Sequence, residues 1–216
     1  MLSSNIDHIV ITAPSLAEGA AYVEGILGVA PQPGGEHSRM GTHNLLLKLG
    51  DEVYLEVIAI NPKALPPDRP RWFGLDSIAD QPARLATWVA RSGNIHDTCA
   101  ASPISLGHIE AMTRGSLQWK ISIPADGGLV MQGIAPSLIQ WETDTHPASG
   151  MHDAGCSLIR VEAFHSDAQA ARDLLEKIGF EGPLDVLPAG PGMPAHLVAH
   201  IQTPSGPRRL GGLAPA

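Results

Sequence analysis

Apolar and polar positions along the chain change period several times, and each change predicts an element. "NIDHIVITAP" is rich in Ile and Val, which predicts a strand that Pro14 ends. "SLAEGAAYVEGILG" then reads as a helix. Ser15 is placed to cap its first turn, Glu18 follows three residues later, and Gly28 stands just past its end. "HNLLLKLGDEVYLEVIAI" predicts two strands joined at Gly50-Asp51, where a leading glycine suits a two-residue type II′ turn. The local unit is therefore strand, helix, strands.

The unit recurs. "SLIRVEAFHSDAQAARDLLEKIGF" lies over the first strand and helix at a constant offset of 151, which sets Gly179 on Gly28, and "HLVAHIQTPSGPRRLGG" follows. A weaker match at offset 79, "LATWVARSGNIHDTCAAS", is followed by "GHIEAMTRG", "LQWKISIPADGG" and "GLVMQGIAPSLIQWE". Three units are expected, at 5–61, 84–143 and 155–213. The links "NPKALPPDRPRWFGLD" and "TDTHPASGMHDAG" have the Pro, Gly and Asp content of loops. As domains, 1–145 holds the first two units and 155–213 the third.

Composition narrows the class. Across 216 residues, 44% are hydrophobic and 17% charged, as expected of a globular chain. The net charge of −8 and the lack of a basic run argue against nucleic-acid binding. Two cysteines, Cys99 and Cys156, support neither a disulfide framework nor a zinc knuckle. The N-terminus has no basic segment ahead of its apolar run, and no stretch reaches the ~20 apolar residues of a membrane span. The expectation is a soluble cytoplasmic protein.

One position breaks the pattern. Glu56 sits within "YLEVIAI", where both strand faces are otherwise apolar or aromatic, and an unpartnered buried carboxylate costs several kcal/mol. Alternation sets His8 on one face with Ile6 and Val10, and Asp7 on the other with Ile9 and Ile11. It sets Glu56 with Tyr54 and Ile58. A Gly50-Asp51 turn places Leu45 opposite Glu56 and His43 opposite Ile58, making His43 and Glu56 diagonal neighbours about 7–8 Å apart. A one-residue slip moves His43 to the other face. His8, His43 and Glu56 are of the types that hold zinc, iron, nickel or manganese. The plainer alternatives are a hydrogen-bonded core histidine and a Glu56 that receives a donor from Asn44.

With these residues in view, the chain resembles a known group. "IDHIVITAPSLAEGAAYVEGILGV" is similar to the opening module of the vicinal oxygen chelate superfamily, which includes glyoxalase I, extradiol dioxygenases and bleomycin-resistance proteins. "GGEHSRMGTHNLLLKLGDEVYLEVIAI" with "RPRWFGLD" resembles its glyoxalase-like domain group. The likeness covers most of 5–142. It implies an α+β fold of βαβββ modules paired into a half-open barrel of mostly antiparallel sheet. It also implies His8 and Glu56 as metal ligands and catalytic groups in metal-using members. The second half-site departs from the pattern. Thr87 and Ile159 stand where further histidines would lie, and Gln140 or Glu142 where a second carboxylate would.

Around this centre, Asn44, Trp72, Phe73, Trp88 and Gln140 are candidate substrate contacts, with His43 both a substrate contact and a third ligand. Arg71 is a candidate for gripping a carboxylate. His37 lies on a glycine-bracketed loop that could act as a lid, though loop histidines are usually idle, and the remaining histidines form no HExxH pattern. "AGPGMPAH" lacks the strand–helix context of a nucleotide fingerprint. Two functions stand. One is lyase-, isomerase- or dioxygenase-like chemistry on a small molecule, assisted by a divalent ion. The other is metal-free binding or sequestration of a small molecule. The unpaired third module predicts an uncovered face and hence a homodimer.

Overall fold

The computed structural model describes residues 2–78 and 81–213. The first unit comprises β1 (Ser4–Thr12), α1 (Leu16–Leu27), β2 (Gln32–His37), β3 (Thr42–Lys48) and β4 (Tyr54–Ile60). The second comprises β5 (Arg84–Ser92), α2 (Ile95–Ala101), β6 (His108–Arg114), β7 (Leu117–Ile123) and β8 (Ser137–Trp141). Together they form one eight-stranded sheet, ordered β2-β3-β4-β1-β5-β8-β7-β6 and curled into a half-barrel. Strands β1 and β5 join the halves antiparallel, while β1/β4 and β5/β8 pair parallel. The fold is the expected α+β arrangement.

Local chemistry explains the elements. The Ser15 side chain accepts a hydrogen bond from the Glu18 N–H and donates one to the Glu18 carboxylate, closing the first turn of α1. Gly28 ends the helix in the left-handed region, and its N–H bonds the Glu24 carbonyl. Among the described residues, no helix is long and apolar enough to cross a membrane.

Two details differ from the sequence reading, and both move functional side chains. Tyr54 lies opposite Lys48, and the Leu49 N–H bonds the Val53 carbonyl, so the β3–β4 turn has three residues, Gly50 to Glu52. Gly50 does not adopt the positive φ that a type II′ turn needs. The extra residue slips the register by one, puts Leu46 opposite Glu56 and sends Leu45 and Leu47 toward the main core. The second detail is a β-bulge. Ile6 pairs with Ala90 and His8 with Val89, leaving Asp7 unopposed. Ile6 consequently packs in the main core with Ile9 and Ile11, and Asp7 joins His8 on the other side instead of facing away from it.

The main core lies outside the half-barrel, between its convex face and α1, α3 (Ala168–Lys177) and a second sheet. That sheet contains β9 (Ser157–His165), β10 (Leu184–Pro188), β11 (His196–Thr203) and β12 (Gly206–Gly211). Its element order is the expected strand, helix, three strands, but the order in the sheet is β10-β9-β11-β12, with β9 and β10 parallel neighbours. The wiring therefore differs from the first unit. Its outer face carries the ion-paired Arg160, Glu162 and His200, so the bare apolar surface behind the dimer expectation is not what this sheet presents there. A smaller cluster, including Val10, Ile58, Val89, Trp119 and Ile139, fills the concave side of the half-barrel.

Candidate active site

On that concave side lies a cavity with about 30 Å³ of room for water centres, within about 360 Å³ of empty space that includes its opening to solvent. His8, His37, Asn44, Glu56 and Arg114 form its polar part, and Tyr54, Trp72, Phe73, Trp119, Ile121, Ile139 and Trp141 its walls. Phe73 holds a left-handed backbone (φ 58), which is costly for a bulky residue.

The site is built on the bulge. Asp7 is fully buried and receives three N–H groups: His8 Nδ1 at 2.7 Å on one oxygen, Trp141 Nε1 at 2.8 Å and His146 Nε2 at 3.0 Å on the other. His146 comes from the link after β8. Its Nδ1 accepts from the Ala148 N–H, so the proton of the neutral ring lies on Nε2, toward Asp7. Burial alone raises the Asp7 pKa, but the bonds from His146 and His8 outweigh it and hold the carboxyl well below the usual range.

Asp7 orients His8. With Nδ1 committed to that carboxylate, Nε2 of the neutral ring presents a lone pair to the cavity, 3.6 Å from Glu56 Oε2. The imidazole stacks on Tyr54 with ring centres 4.5 Å apart. Burial, followed by the charges of Asp7 and Glu56, pushes the Tyr54 phenol well above its ordinary pKa.

Glu56 is fixed from its other oxygen, which accepts from Asn44 Nδ2 at 2.6 Å. Asn44 Oδ1 in turn accepts from the Gly35 N–H (2.8 Å) and Arg114 Nη1 (3.2 Å), so both ends of the amide are committed. A Cβ on Gly34 would lie 2.1 Å from Asn44 Oδ1, and one on Gly35 would lie 2.9 Å from the Arg114 side chain. The glycine pair in β2 makes this close approach. Arg114 also reaches His37 Nε2 at 3.2 Å, while His37 Nδ1 bonds Thr42 Oγ1. Burial, then the Arg114 charge, pushes the His37 pKa down to about 3.

His8 Nε2 and Glu56 Oε2 are two donors of the kinds that ligate divalent ions. Two groups each about 2.0–2.2 Å from one ion can be separated by the 3.6 Å seen between His8 Nε2 and Glu56 Oε2. Asp7 behind His8 and Asn44 behind Glu56 are the kind of outer partners that orient metal ligands. Among the described residues, no group of three or more His, Cys, Asp or Glu side chains is arranged to hold an ion.

The family model described as "Glyoxalase-like domain" matches residues 6–179. The chain belongs to the glyoxalase-like domain family. The match runs beyond the half-barrel through β9 and α3. A search of curated proteins gave no match. Among solved structures, Streptomyces coelicolor methylmalonyl-CoA epimerase is 17% identical, with 66% of this chain and 100% of that one covered, at a TM-score of 0.44. The Mycobacterium tuberculosis methylmalonyl-CoA epimerase is 13% identical, with 63% and 85% covered, at 0.41. A mutant 4-hydroxymandelate synthase from Streptomyces coelicolor is 16% identical, with 95% and 61% covered, at 0.48.

Within this family framework, the expected residues divide into two groups. His8, Glu56, Asn44, Trp72 and Phe73 meet at the cavity. His43 does not. The register slip sets it opposite Ala59, half-buried next to Glu36, so it is not positioned to join His8 and Glu56 as a ligand. Trp88 is fully buried on the convex side, where its indole N–H bonds the Ile134 carbonyl. Gln140 also points away, accepting the Ile95 N–H at the start of α2. The sequence reading missed Asp7, His37, Arg114, Trp141 and His146. For His37 the Gly34–Gly35 pair just before it was a signal; for Asp7, a bulge leaves none in the alternation.

Proposed function

We propose that this glyoxalase-like protein is an enzyme that moves a proton on a small carbonyl compound in the half-barrel cavity. One observation carries this reading: His8 Nε2 and Glu56 Oε2 converge at 3.6 Å in the cavity, and each is oriented from behind. An imidazole nitrogen and a carboxylate aimed at one point can share a proton or hold a cation between them. In this reading His8 Nε2 takes and returns the proton, and Asp7 holds the ring and stabilises its charged form. Glu56 faces the reacting group, and the aromatic walls exclude water. A divalent ion, if bound, would be held by His8 and Glu56 and would polarise a substrate oxygen. We assign the chemistry to 1–145 and an accessory role to 155–213, in a cytoplasmic protein.

A second reading, metal-free sequestration of a small molecule, is favoured by the second half of the sheet, which contributes no acid or base at the matching positions. One experiment separates the two. Protein purified without chelator is assayed for bound metal, then incubated in D2O with hydroxycarbonyls and 2-oxo acids. The enzyme reading expects deuterium at the carbon beside a carbonyl in at least one compound, reduced about 10²–10⁴-fold by His8→Gln. Compounds recovered unlabelled, with one retained tightly, would establish sequestration instead.

A further inference from the structure

Four arginines belong to the loops and strands around the cavity, and three are paired with carboxylates. Arg39 and Arg69 both bind Glu110, and Arg71, the sequence candidate for gripping a carboxylate, is held by Asp76 at 2.6 Å. Arg114 differs. Its Nη1 donates only to neutral acceptors, His37 Nε2 and Asn44 Oδ1, and among the described residues no carboxylate lies within 4.0 Å of it. Its remaining N–H groups have no protein partner among the described residues.

A second donor at the same cavity is unpaired. The Trp72 indole N–H is buried without a hydrogen-bond partner, although the ring is only 3% exposed. Buried N–H groups are rarely left orphaned. An uncompensated guanidinium and an orphan N–H at one small cavity call for an acceptor-rich anion. The nearby Glu56 carboxylate disfavours a dianion, so a singly charged group fits better than phosphate. Resting on the reading of the cavity as a substrate site, we infer that its ligand is a small carboxylate gripped by Arg114 and the Trp72 N–H. The Arg114–Asn44–Glu56 chain of bonds then directs the rest of the molecule toward His8.

The test measures binding, without turnover. The full chain is titrated at fixed ionic strength with propionate, propionamide and inorganic phosphate, followed by tryptophan fluorescence and calorimetry. Propionate is expected to bind in the millimolar range or tighter, with the amide at least about 10-fold weaker and phosphate weaker still. Arg114→Met should remove the preference for propionate over its amide, Arg114→Lys should keep part of it, and Trp72→Phe should weaken propionate a few-fold. Equal binding of acid and amide, no propionate binding at about 100 mM, or phosphate bound in its place would overturn the inference. So would an Arg114→Lys or Arg114→Met protein that folds and keeps the full preference. Propionate binding with no deuterium exchange in any carbonyl compound would leave this inference standing and remove the enzyme reading.

Discussion

The two halves of the eight-stranded sheet are built alike down to a single bulge, but the carboxylate and histidines that line the cavity all come from the first. In β1, Ile6 and Ile9 face the main core, Val10 faces the concave side, and Asp7 is the bulged residue. In β5, 79 positions on, Leu85 and Trp88 face the core, Val89 the concave side, and Ala86 is bulged. Asp7 and His8 thus correspond to Ala86 and Thr87. The pairings extend the match: Val10 lies beside Glu56 in β4, and Val89 beside Ser137 in β8. The second half shows what this backbone needs when it only has to fold. An alanine, a threonine whose hydroxyl bonds the Gly133 carbonyl, and a serine are enough. Asp7, His8 and Glu56 are therefore not demanded by the bulge or by the barrel, and their burial needs another explanation.

The strongest way to break the comparison is to give the first half the second half's residue. His8→Thr should fold, because Thr87 does so in the matching place. It should lose about 10²–10⁴-fold of any deuterium exchange, since the proton-carrying group is gone. A His8→Thr protein with wild-type exchange would show that the halves are functionally as well as structurally equivalent. Asp7→Ala should act mainly on stability. It leaves the N–H groups of His8, Trp141 and His146 without their shared acceptor, at a cost of about 3–5 kcal/mol in urea unfolding. A loss under 1 kcal/mol would mean that this position needs no more than the alanine that stands at 86 in the other half.

How far this asymmetry was legible in the sequence depends on which residue is asked. The offset of 79 was visible, and so was the substitution of Thr87 for His8, because both rest on strand and helix patterning that the fold obeys. Glu56 stood out because it interrupts an apolar strand. The partners were harder to read. Asp7 was assigned to the wrong face because alternation cannot anticipate a bulge, and the same bulge is what delivers it to His8. The Asn44 donor to Glu56 was among the plainer alternatives and is present, but His43 leaves the site over a single extra residue in the turn at Gly50–Glu52, which a hydrophobic pattern of "LLLKL" does not specify. Arg114 and His146 come from distant chain segments and meet the first half only through the closing of the barrel.

His37 sharpens the contrast through pH. It belongs to the first half, is kept neutral when folded, and has a pKa depressed to about 3 from an ordinary 6.5. Between those values the unfolded chain binds a proton that the folded chain does not, so stability is greatest above pH 6.5 and falls as pH drops toward 3. The limiting slope from this residue is about 1.4 kcal/mol per pH unit. His37→Gln should reduce the slope of unfolding free energy between pH 6 and 4 by up to that amount. An unchanged slope would show that His37 does not remain neutral beside Arg114.

The smallest expected effect lies in the second half. Thr87→Val keeps the shape of the side chain and removes the hydroxyl that donates to the Gly133 carbonyl at 3.1 Å. The loss of one buried neutral hydrogen bond predicts a destabilisation of about 1 kcal/mol. Exchange activity should stay unchanged, because Thr87 has no counterpart of Asp7 behind it and does not line the cavity. Measured beside His8→Thr, this variant separates the contribution of the bulged backbone from that of the groups placed on it. If Thr87→Val lowered exchange as strongly as His8→Thr, the second half would supply more than the Arg114, Trp119 and Trp141 it lends to the cavity, and the assignment of proton transfer to His8 and Glu56 would fail.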